Sequence, residues 1–197
     1  GDLYVTYEIG GKTTIGLGYG LVQLSQDGIG DENYQRALGR LEWQATAKIG
    51  LEAWFGIDFR DGETSSDDTG VFGLELGADL REGTTFQLVA GRDIDASAYT
   101  DTETYLRTAI GGRLEQRLGR RFVGVFEAGF EEFDYRISED WPEGREEEGL
   151  YLRPAVRYQL KDELSAEIFY VFRDNESSVD DFDFKNNQFG TSVYMRF

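Results

Sequence analysis

Apolar side chains recur at every second position from Leu3 to Phe197, in short runs broken by glycine-rich or acidic connections. A period of two places successive side chains on opposite faces of an extended chain, so the runs read as strands and not helices. The last run, Gly190-Thr191-Ser192-Val193-Tyr194-Met195-Arg196-Phe197, ends on an aromatic residue. No stretch is long and apolar enough to be a spanning helix. In a bilayer every backbone N–H and C=O must find a partner within the protein, which leaves only a closed sheet as a spanning structure. The pattern predicts an all-β fold: one antiparallel up-and-down transmembrane β-barrel of about 10–12 strands.

Eleven strands follow from alternation and turn residues: about Leu3 to Ile9, Thr13 to Leu24, Tyr34 to Thr46, Ile49 to Arg60, Gly70 to Leu80, Thr84 to Asp93, Thr102 to Arg117, Arg121 to Tyr135, Gly149 to Leu160, Leu164 to Arg173 and Asn187 to Phe197. Tight connections (Gly10-Gly11-Lys12, Ala47-Lys48, Arg81-Glu82-Gly83, Leu118-Gly119-Arg120, Lys161-Asp162-Glu163) alternate with long ones near residues 25–33, 61–69, 94–101, 136–148 and 174–186. Short turns at one end and long loops at the other are the bacterial outer-membrane plan, with Phe197 at the periplasmic rim. Eleven is the wrong parity for a complete single-chain barrel. Residues 1–197 are therefore expected to form a single domain that lacks upstream strands, the alternative being that Leu3 to Ile9 does not span and the barrel has ten.

The faces separate cleanly. Ile15, Leu17, Tyr19 and Leu21, then Leu51, Phe55 and Ile57, then Phe122, Phe126 and Phe130 make an apolar band, with counterparts on the other strands. The intervening positions carry Arg36, Arg40, Glu42, Glu52, Arg107, Glu127, Glu131, Arg153, Arg157, Glu167 and Arg173. Arg or Lys facing lipid at the bilayer midplane costs about 2–4 kcal/mol, so these are expected to line the lumen, where they either select solutes or pair across strands. A soluble sandwich or ligand-binding barrel also alternates, and is the competing architecture.

The 197 residues include no Cys and no His, which removes thiol, zinc-thiolate and imidazole chemistry. A formal net charge of −18 argues against nucleic acid as a partner. Glu127 and Glu131 share a strand face, but four residues at ~3.3 Å each put them about 13 Å apart, too far for either glycosidase geometry. No catalytic residue, metal site or cofactor is expected. Gly16-Leu17-Gly18-Tyr19-Gly20 is no phosphate loop, because its glycines alternate along one strand face with no helix following; they make room inside the barrel. The acidic long loops read as a solvated surface in preference to a cation site, although their oxygens suit Mg²⁺ shared with lipopolysaccharide phosphates.

The residues Leu41-Glu42-Trp43-Gln44-Ala45-Thr46-Ala47-Lys48, Tyr170-Val171-Phe172-Arg173-Asp174-Asn175-Glu176-Ser177-Ser178 and Phe182-Asp183-Phe184-Lys185-Asn186-Asn187-Gln188-Phe189-Gly190, with terminal Phe197, resemble the type-two β-barrel porin family of bacterial outer-membrane proteins. The likeness runs over most of the chain from about Tyr34. It implies location in the outer membrane and a channel or export-associated role, with lipid, lipopolysaccharide and envelope proteins or further copies as partners. It assigns no catalytic residue. Phe197 resembles the recognition end used by the barrel assembly machinery. A non-conducting, partner-binding barrel and a soluble small-ligand barrel are the alternatives.

Overall fold

The computed structural model describes residues 2–26, 30–61, 68–96, 104–135 and 144–195. They form one eleven-stranded antiparallel sheet whose spatial order is the chain order. The strands are β1 (Asp2–Ile9), β2 (Thr13–Gln26), β3 (Gly30–Thr46), β4 (Ile49–Asp61), β5 (Asp68–Arg81), β6 (Thr84–Ala96), β7 (Thr104–Arg117), β8 (Phe122–Tyr135), β9 (Arg145–Lys161), β10 (Leu164–Ser177) and β11 (Phe184–Met195). The only helix among the described residues is a 3₁₀ turn, Asp180–Phe182.

The sheet is not closed: among the described residues β1 pairs only with β2, and β11 only with β10. The antiparallel up-and-down order is the expected one, and the open edges accord with the odd number of strands. In an eleven-strand meander the first and last strands run the same way, so closure would put a parallel pair into an otherwise antiparallel ladder.

The strands also run further outward than their apolar runs. β9 begins at Arg145, where a loop is expected to continue to residue 148, and β10 extends to Ser177. β2 and β3 stay paired up to Gln26↔Gly30. Beyond the hydrocarbon the outward face need not be apolar, so charged residues no longer end a strand. Arg92, Thr108, Glu132 and Glu148 are successive cross-strand partners on the outward face and mark that boundary. From Glu132 down β8 to Phe122, ten residues cover about 33 Å, which at the usual tilt matches an apolar band about 25 Å tall. Phe122 stacks on Tyr158 at a centroid distance of 4.8 Å near the lower rim, as an interfacial aromatic belt requires.

The short turns close with few residues. Gly10 and Gly11 both take positive φ (65° and 70°), which only glycine adopts without strain. At two other hairpins an inward glutamine satisfies turn carbonyls: the Gln44 amide donates to the Thr46 and Ile49 carbonyls, and Gln159 to Lys161 and Asp162; on the outward face the Gln116 amide does the same for Gly83 and Arg117.

Aromatic side chains sit directly opposite glycines. Tyr4 faces Gly18, Trp54 faces Gly73, Tyr151 faces Gly129 and Phe169 faces Gly190, and in each pair the ring lies where a Cβ would otherwise stand. These four pairs lie on the charged face. The room expected from alternating glycines in β2 is thus filled by the Tyr4 ring over Gly18.

Candidate functional site

Within the apolar span of the strands the charged positions share one face, and that face is concave. The Arg36 guanidinium on β3 reaches Asp93 on β6, two strands beyond its neighbour, at 2.7 Å, while also pairing with Asp58 on β4 at 2.5 Å. The apolar positions occupy the opposite, convex face, where Leu17, Phe55, Ile110 and Ile168 are all exposed.

Four strands build a closed circuit of ion pairs. Arg113 on β7 contacts Glu115 on its own strand and Glu127 on β8 at 2.6 Å. Arg153 on β9 bridges Glu127 at 3.4 Å and Glu167 on β10 at 2.5 Å. Arg157 binds Glu167 at 3.0 Å and returns to Glu115 at 4.0 Å. Three guanidiniums and three carboxylates alternate around the circuit, so its formal charge is zero. Glu167 is its hub: its side chain is fully buried, and the Tyr194 hydroxyl donates to it at 3.3 Å. A buried carboxylate is tolerated because its oxygens accept several charge-assisted bonds.

The other wall is less compensated. Glu42, Glu52 and Glu75 are successive cross-strand partners on β3, β4 and β5. Arg40 bridges Glu42 (3.0 Å) and Glu52 (3.3 Å), and Glu75 accepts from the Gln87 amide at 2.7 Å. Like charges directly opposite oppose sheet formation, and water relieves them here: the Glu52 side chain is 62% exposed in mid-strand. Between the walls, Arg107 pairs with Glu131 at 2.5 Å. Towards the long-loop end, the Arg145 guanidinium is sandwiched between the rings of Tyr135 (3.7 Å) and Phe182 (4.0 Å) and paired with Glu147 at 2.9 Å. This draws the 3₁₀ turn inward over β9.

Every expected lumen residue from Arg36 to Arg173 therefore stands on the concave face. Arg36, then Arg40 with Glu42 and Glu52, then Arg107 with Glu131, then Glu127 with Arg153, Arg157 and Glu167 form four groups. Arg173 is exposed beside Tyr151 and Asn186 and enters none of them. Asp58, Arg113 and Glu115 read as inward from alternation, but nothing in the sequence marks them as partners. Asp93 is the last residue of an expected strand, whereas Arg145 and Glu147 fall where a loop is expected, and continued alternation past the apolar run is the signal that finds them. Phe197 lies outside the described residues, as do Glu63, Asp67, Asp101, Glu139, Asp140 and Glu143 of the acidic loops. Among the described residues no group of three acidic side chains is placed to hold a metal ion.

An up-and-down antiparallel sheet with an apolar convex face and a charged concave one defines the outer-membrane type of β-barrel. Two solved structures share the fold across 98% of this chain. In-vitro folded OmpT, an outer membrane protein of Vibrio cholerae, matches with a TM-score of 0.56, and its loop L8 deletion mutant with 0.53. Identity to each is 11%, and the chain spans 63% and 62% of their lengths. No curated protein matches the chain. The sequence pattern of the family described as putative beta-barrel porin 2 matches residues 71–197, and the chain belongs to that family. The match holds the closing segments from Tyr170 onward, and Leu41–Lys48 lies outside it.

Proposed function

We propose that the protein resides in the bacterial outer membrane and forms the wall of a water-filled channel for small solutes, alone or as part of an envelope export system, without covalent chemistry. The observation that carries this reading is the charge gathered on the concave face and its exposure at mid-strand, where the Glu52 side chain is 62% and Arg40 43% exposed. Its outward apolar face implies lipid and lipopolysaccharide as surroundings, and insertion by the barrel assembly machinery accords with the family. In hydrocarbon the free margins of β1 and β11 need partners as well, since unpaired backbone groups there cost several kcal/mol each.

One observation favours a second reading, a non-conducting barrel that binds partners at its outer rim: the Arg145 sandwich pulls Phe182 over part of the interior. Swelling of proteoliposomes separates the two. Vesicles carrying the full chain should swell in isotonic monosaccharide or amino acid at a rate proportional to protein content. Vesicles that hold heat-modifiable, folded protein yet do not swell would contradict the channel.

A further inference from the structure

Two of the aromatic rings seated on glycine carry a guanidinium over their other face. Arg36 stands 6.0 Å from the centroid of Trp54, which lies over Gly73, and Arg153 stands 4.6 Å from Phe169, which lies over Gly190. Each guanidinium is also held by two carboxylates, Asp58 and Asp93 for Arg36, and Glu127 and Glu167 for Arg153. The lumen thus repeats one arrangement: glycine, ring, planar cation, carboxylates.

Tyr151 has every part of this arrangement except the cation. Its ring lies across Gly129, and Glu127 and Glu131 flank that glycine two residues away on either side, on the same face. Arg173 stands opposite Tyr151 in register on β10, but among the described residues no guanidinium is stacked on the Tyr151 ring. The ring borders a cavity of about 380 Å³, with Trp54 also in its wall and the small residues Gly73, Gly91, Ala109 and Gly111 leaving room between them. Five carboxylates and two guanidiniums border this cavity; Arg92 sits on the outward face, Arg107 pairs with Glu131 and Asp93 is held by Arg36, so the carboxylates still outnumber the cations. The other bare ring, Tyr4 over Gly18, borders a smaller space lined by both Arg36 and Arg40, which repel a cation.

We propose that the cavity between Trp54 and Tyr151 binds planar organic cations, of the guanidinium or amidinium class, stacked on Tyr151 and neutralised by the surrounding carboxylates. This deepens the channel reading by naming a solute class, and requires only that water reach the lumen. Calorimetric titration of the full chain, folded in detergent micelles, tests it with benzamidinium, its uncharged analogue benzamide and the anion benzoate. Benzamidinium should bind more tightly than both analogues. Tyr151→Leu should weaken its binding about three- to thirtyfold, and Tyr151→Phe, which keeps the ring, should restore it. Equal binding of benzamide, no binding of benzamidinium at millimolar concentration, or an unchanged affinity in Tyr151→Leu that still shows heat-modifiable folding would each overturn the proposal. Binding is read without current, so a failure of conduction would count against the channel reading alone.

Discussion

Replacing Glu167 with alanine is expected to destabilise the folded sheet by about 3–5 kcal/mol, the usual cost of removing one partner from a buried ion pair. Arg153 and Arg157 both converge on this carboxylate, at 2.5 and 3.0 Å, and its side chain is fully buried. Without it two guanidiniums face one another on β9 with only Glu127 and Glu115 as distant anchors, at 3.4 and 4.0 Å. Urea unfolding of the protein in lipid vesicles reads the loss directly. A triple variant, Glu167→Leu with Arg153→Met and Arg157→Met, should recover most of it, because apolar groups of similar volume replace a buried ion network at little cost. A loss below about 1 kcal/mol in Glu167→Ala would mean that water, and not the circuit, satisfies these charges.

Ile110→Arg should cost about 2–4 kcal/mol in the same assay, because position 110 lies near the middle of β7 on the convex face, 51% exposed, between Ala90 and Phe130. Ala109→Arg, one residue earlier, turns into the lumen beside Glu131 and should cost less than about 1 kcal/mol. The contrast between adjacent residues separates a lipid-facing wall from a soluble one. A sheet exposed to water on its convex face would accept both, and Ile110→Arg would then be nearly neutral.

Alternation carried most of the fold, and its limits are physical. A period of two assigns each side chain to a face, which is how Arg36, Arg40 and Glu167 read as one inward set. It says nothing of register, so it does not tell that Arg153 lies between Glu127 and Glu167, or that Arg36 bends across two strands to Asp93. Strand ends were legible only while the outward face stayed apolar. At Arg145-Glu146-Glu147-Glu148 the outward residues Glu146 and Glu148 pair with Asp134 and Glu132 above the hydrocarbon, so β9 continues through a run that reads as loop. Glycine opposite an aromatic ring is also a matter of register: Gly129 and Tyr151 are 22 residues apart in sequence and directly opposed in the sheet. Parity, by contrast, was readable from the strand count, and the parallel orientation of β1 and β11 follows from it.

The most direct test of a water-filled lumen uses the absence of cysteine from the chain. Gly77 lies on the concave face between Gly50 and Gln87, and a side chain added there meets nothing within 4 Å. Single-channel current through Gly77→Cys in planar bilayers, before and after a bulky water-soluble methanethiosulfonate, asks whether ions pass this point. Discrete steps that shrink on modification, with the unsubstituted protein unaffected, are the predicted result. Silence from folded protein, or steps indifferent to the modified residue, would contradict the account.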